Sequence, residues 1–62
     1  MKTYEVEVER INEEIEIIAE TNDLEEAIEI AKKTPRENYK AIGINVIDPD
    51  GRLIKKIELE VR

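Results

Sequence analysis

Apolar and charged residues alternate singly over two stretches of this chain and repeat every three to four residues between them. Tyr4, Val6 and Val8 alternate with Glu5, Glu7 and Glu9, the period of a half-buried strand. Ile15, Ile17 and Ala19 alternate with Glu14, Glu16 and Glu20 in the same way. One antiparallel register satisfies both, with Tyr4 opposite Ala19, Val6 opposite Ile17 and Val8 opposite Ile15. The connecting loop is then Arg10 to Glu13, a four-residue turn without glycine. Val8, Ile11, Ile15 and Ile18 also fit a helical spacing. The crowding of β-branched residues and the cleaner alternation favour strands.

A helix follows. Asn22 with Glu25, or Asp23 with Glu26, has the spacing of a capping box. Leu24, Ala27, Ile28 and Ala31 form one apolar stripe at i, i+3, i+4 and i+7. Acidic residues lead and Lys32-Lys33 close, as the helix dipole prefers. Thr34-Pro35 stops a helix of about 11 residues, because the residue before proline avoids helical geometry.

The alternation then resumes. Ile42, Ile44 and Val46 define a third strand, and Ile57, Leu59 and Val61 a fourth. Between them Asp48-Pro49-Asp50-Gly51 has the chemistry of a type I turn ending in a left-handed residue. Pairing Ile47 with Leu53 and Val46 with Ile54 leads straight on to Ile44 opposite Lys56, which would bury a charge. A β-bulge at Lys55-Lys56 restores Ile44 opposite Ile57 and Ile42 opposite Leu59.

The expected fold is therefore α+β, one ββαββ domain over residues 1–62. A four-stranded mixed sheet carries the helix on one face. The second and third strands should run parallel, joined through the helix. Strand orders 1-2-3-4 and 2-1-4-3 both fit. The expected core is Tyr4, Val6, Val8, Ile15, Ile17, Leu24, Ala27, Ile28, Ala31, Ile42, Ile44, Val46, Ile57, Leu59 and Val61. Tyr39 should seal the helix end.

Composition narrows the chemistry. Sixteen acidic and ten basic residues give a net charge of −6, which repels nucleic acid and anionic lipid. No Cys and no His are present, so neither a disulfide nor a zinc site is expected. No Ser or Cys offers a nucleophile, and no His stands to activate a Thr. With Gly43 and Gly51 the only glycines, there is no phosphate-binding loop. Asp48, Asp50 and Gly51 miss the pattern of a calcium loop, because Val46 occupies its first ligand position. The thirteen glutamates read as a solvated face rather than a catalytic pair. No catalytic, cofactor or metal residue is therefore expected. Lys2 is followed by alternating charge, and apolar runs such as Ile17-Ile18-Ala19 fall far short of the ~20 residues of a membrane helix. A soluble, cytoplasmic protein is the default expectation.

Three residues stand apart. Ile18, Ile47 and Leu53 fall on the face opposite the helix in this register, where Ala41 and Gly43 leave the third strand bare. They form the candidate self-association surface of a homodimer.

Taken together, the strands YEVEVE and KIELEV, the capped helix NDLEEAIEIAKK and the DPDG hairpin resemble those of computationally designed ββαββ miniproteins. The resemblance spans the whole chain, through style rather than a diagnostic motif. It implies a stable scaffold without biochemical activity. The glycine-free first turn, the missing C-terminal glycine of the helix and the exposed isoleucines depart from that style. They fit the alternative, a protein-interaction module or homodimerising domain from a hyperthermophile.

Overall fold

A computed structural model describes residues 1–61. Strands β1 (Thr3–Glu9) and β2 (Ile15–Thr21) precede the helix α1 (Leu24–Lys33). A single 3-10 turn (Arg36–Asn38) leads into β3 (Ala41–Ile47) and β4 (Leu53–Val61). The α+β fold in ββαββ order is as expected from the sequence. One sheet in the order β2-β1-β3-β4 carries all four strands.

Neighbouring strands all pair antiparallel, so the sheet is not mixed, and neither anticipated strand order occurs. β2 and β3 do run in the same direction, since both oppose β1, but β1 lies between them. This order places the two strands of cleanest alternation side by side beneath the helix. Val8, Val6 and Tyr4 of β1 face Ile42, Ile44 and Val46 of β3 without interruption. It also leaves Glu14, Glu16 and Glu20 at a wetted edge.

Asp23 caps the helix by accepting the Glu25 N–H at 2.9 Å, and Thr34 closes it through its own N–H to the Ala31 carbonyl. Ala27 and Ala31 are buried under the helix. Their small side chains let it settle onto Val6, Val8, Ile42 and Ile44, and Tyr39 completes this cluster.

Both hairpins use one turn geometry. Asp48 N–H donates to the Arg52 carbonyl, Gly51 N–H donates back to Asp48, and Gly51 takes φ +86°. Arg10 N–H likewise donates to Glu14, Glu13 N–H donates back to Arg10, and Glu13 takes φ +72°. The first loop is thus three residues between the Arg10 and Glu14 pair, not four. Its left-handed position holds a glutamate because no glycine is at hand. Relieving that strain outweighs the extra chain entropy of glycine. Glu13→Gly is expected to raise the unfolding free energy by about 0.5–1 kcal/mol in urea titrations. The solvent-exposed ion pair from Glu13 to Lys40 at 3.6 Å offsets little of this gain.

The register departs from expectation where a strand bulges. In β2 the pairing steps from Val6 opposite Ala19 to Glu7 opposite Ile17, so Ile18 is the extra residue. Beyond it Ile15 and Ile17 turn to the side away from the helix, where they are 63% and 44% exposed, outside the core. Ile18 instead packs against the core. β4 bulges twice, neither time at Lys55-Lys56. Ile54 is the extra residue between the Leu53 and Lys55 pairs, and Leu59 between the Glu58 and Glu60 pairs. Lys55 rather than Ile54 therefore faces Val46, and Glu60 rather than Leu59 faces Ile42. Leu59 and Val61 are exposed, not buried.

Candidate functional site

Two arrangements on this scaffold place chemistry where another molecule can reach it. The first is polar and crosses the face away from the helix. Glu7 of β1 lies opposite Gly43 of β3, and Lys56 of β4 lies opposite Asn45. Because Gly43 has no side chain, Lys56 reaches diagonally across β3, and its Nζ stands 2.5 Å from Glu7 Oε2. Asn45 Nδ2 donates to Glu7 Oε1 at 2.9 Å. Burial pushes the Glu7 carboxyl up. Hydrogen bonds from Lys56 and Asn45, with the Lys56 charge, outweigh that and hold it below the usual carboxylate range. The bond to Glu7 in turn raises the Lys56 ammonium. This group ties three strands together. Asn45 is buried, and its Oδ1 has no hydrogen-bond partner among the described residues.

The second arrangement is apolar and follows from the strand order. The helix lies over β1, β2 and β3 and stays clear of β4. Apart from Ile57, which packs against the core, the helix side of β4 is thus left open, and a cleft of about 340 Å³ lies between strand and helix. Ile28 and Ala31 form its helix wall, Tyr39 and Ile42 its floor, and Leu59 its strand wall. Lys32 stands at the rim beside Arg36 and Glu60, whose side chains pair at 2.6 Å. That contact raises the pKa of the Arg36 guanidinium, first through the hydrogen bond and then through the Glu60 charge. β4 hydrogen-bonds only to β3, so its outer edge is open along Leu53–Val61. Leu53, Ile54, Leu59 and Val61 are all exposed along that edge.

The structure does not bring Ile18, Ile47 and Leu53 into one surface. Ile47 and Leu53 are paired across β3 and β4 on the face away from the helix. Ile18 lies at the opposite edge of the sheet, against the core. The β4 cleft is not legible in the alternation of residue types, which places Leu59 in the core. A bulge signal at Leu59 would have been needed to find it. Among the described residues, no cluster of three His, Cys, Asp or Glu side chains stands close enough to hold a metal ion. None of their helices is long and apolar enough to cross a membrane.

No family model, curated protein or solved structure matches the chain. Its function must be argued from its own residues.

Proposed function

We propose that this chain is a non-catalytic interaction domain whose working surface is the open edge of β4 with the cleft beside it. The observation that carries this reading is the uncovered strand. β4 presents exposed apolar side chains and an unpaired backbone edge next to an apolar groove. Such an edge accepts an extended segment as an added strand, with main-chain hydrogen bonds for affinity and the groove for selectivity. No chemical step is needed, and none of the polar groups described above is required to do more than hold the sheet.

Selection of extended peptides from a random library tests the proposal. Bound peptides should shift the amide resonances of residues 53–61 together with Ile28, Ala31 and Tyr39. Leu59→Glu should abolish binding while leaving the melting curve in place. Peptides that map to the β2 edge or to the Glu7–Asn45–Lys56 face would overturn it.

A second reading is an inert scaffold of the designed type. Its support is the agreement of local rules, namely the Asp23 cap, the acid-to-base order along the helix and the Asp48–Gly51 turn. It is told apart by the absence of any enriched peptide.

A further inference from the structure

The two edges of the sheet differ in what they can pair with. β2 carries Glu16 and Glu20, with Glu14 just before it and no basic residue of its own. Pairing β2 with a second β2 about Ile18 sets Glu16 against Glu20, and pairing about Ile17 sets Glu14 against Glu20. Like charges directly opposed are destabilising. β4 holds Lys55 and Lys56 against Glu58 and Glu60, so it is locally neutral in a chain of net charge −6.

That neutrality has an order. About a two-fold axis at Ile57, antiparallel β4 strands place Lys56 opposite the second copy's Glu58, and Leu53 opposite its Val61. Lys55 then comes beside the bulged Leu59 and can lay its aliphatic stem along it. Moving the axis to Lys56 sets two lysines against each other, and moving it to Glu58 sets two glutamates. Only the register about Ile57 places no like-charged pair face to face.

Resting on the reading of β4 as an interaction edge, we propose that its occupant is the β4 strand of a second copy. The two strands join two sheets into one of eight strands. The contact is isologous and closes on itself, so it ends at a dimer. The bulges at Ile54 and Leu59 flank Lys56–Glu58, the run over which this register is regular on both strands. The helix-side cleft of each copy then opens toward that of the other, and Leu59 and Ile57 come to line a shared trough.

So short a ladder gives a modest dimer, with a dissociation constant on the order of 10–100 μM. Sedimentation equilibrium should show the mass rising from 7.2 kDa toward twice that value as concentration increases. A mixed labelled and unlabelled sample should give an intermolecular nuclear Overhauser contact between the Lys56 and Glu58 backbones. Glu58→Lys, which opposes lysine to lysine across the axis, should weaken the dimer at least tenfold with an unchanged melting curve at low concentration. A chain that stays monomeric at about 1 mM overturns self-pairing. If selected peptides still bind β4 in that case, the interaction reading stands alone. A dimer whose intermolecular contacts fall on β2, or on the Ile15 and Ile17 face, overturns self-pairing through β4, and the interaction reading falls with it only if selected peptides also avoid β4.

Discussion

Ile44→Ala is expected to lower the unfolding free energy by about 3–4 kcal/mol, the largest effect of any single core truncation in this chain. Ile44 is completely buried at the centre of the sheet, flanked by Val6 on β1 and Ile57 on β4. It belongs to the cluster in which Ala27 and Ala31 bring the helix down on the strands. The buried helix residues of that cluster are alanines, too short to fill the space left behind, and Leu24 and Ile28 pack only at its margin. Collapse is limited, and the cavity remains. A 62-residue chain has roughly 3–9 kcal/mol of stability in all, so at least about a third of it would go. The melting temperature should fall by about 4–8 °C for each kcal/mol lost. Urea titration followed by far-ultraviolet circular dichroism measures this directly, with Ile44→Val, costing about 1 kcal/mol, as the graded control. A loss below about 1.5 kcal/mol for alanine would mean that the site closes, and that the helix is held less firmly than its buried alanines indicate.

The residues that the sequence placed well are those on strands without a bulge. In β1 and β3 every alternate residue from Val6 to Val8 and from Ile42 to Val46 is buried, as their pattern says. In β4 the expected pairs Ile47–Leu53 and Ile44–Ile57 occur, and the departures there and in β2 have one physical reason. A strand has period two, so a single inserted residue moves all later side chains to the other face. Ile18, Ile54 and Leu59 are such insertions, and nothing in residue type distinguishes them from their neighbours. The Glu13 turn was hidden similarly, since a left-handed residue is recognisable only when glycine or asparagine fills it. The strand order rests on a balance that alternation does not encode. It sets the even faces of β1 and β3 together under a narrow helix and leaves the acidic β2 and the neutral β4 outside. Because the candidate site consists of what the helix fails to cover, it could not be read before that order was known.

Gly43→Ala tests the same junction from the opposite side, and here the sign is the informative quantity. Glycine inside a strand ordinarily costs about 0.5–1 kcal/mol relative to alanine, so on propensity alone the change should stabilise. The structure predicts the reverse. A Cβ on Gly43 would stand 2.7 Å from the Ile57 carbonyl oxygen and 3.6 Å from Glu58 Cα, both backbone atoms of β4. Neither can rotate away, so the strand itself must move. The displacement would fall beside the step in register that makes Leu59 the extra residue. It would also intrude on the gap over which Lys56 reaches Glu7. A net loss of about 1–3 kcal/mol is expected, as for other overpacked sites. Gly51→Ala is the comparison, because nothing lies within 4 Å of its added methyl and only the φ of +86° opposes it. Its loss should be nearer 1 kcal/mol and confined to the turn. Amide exchange separates the two, with Gly43→Ala accelerating exchange along β3 and β4 and Gly51→Ala only around residues 48–52. A neutral or stabilising Gly43→Ala would show that β4 can shift freely against β3. An edge that shifts freely has no fixed register to offer, so the pairing proposed for Lys56 and Glu58 depends on this glycine remaining bare.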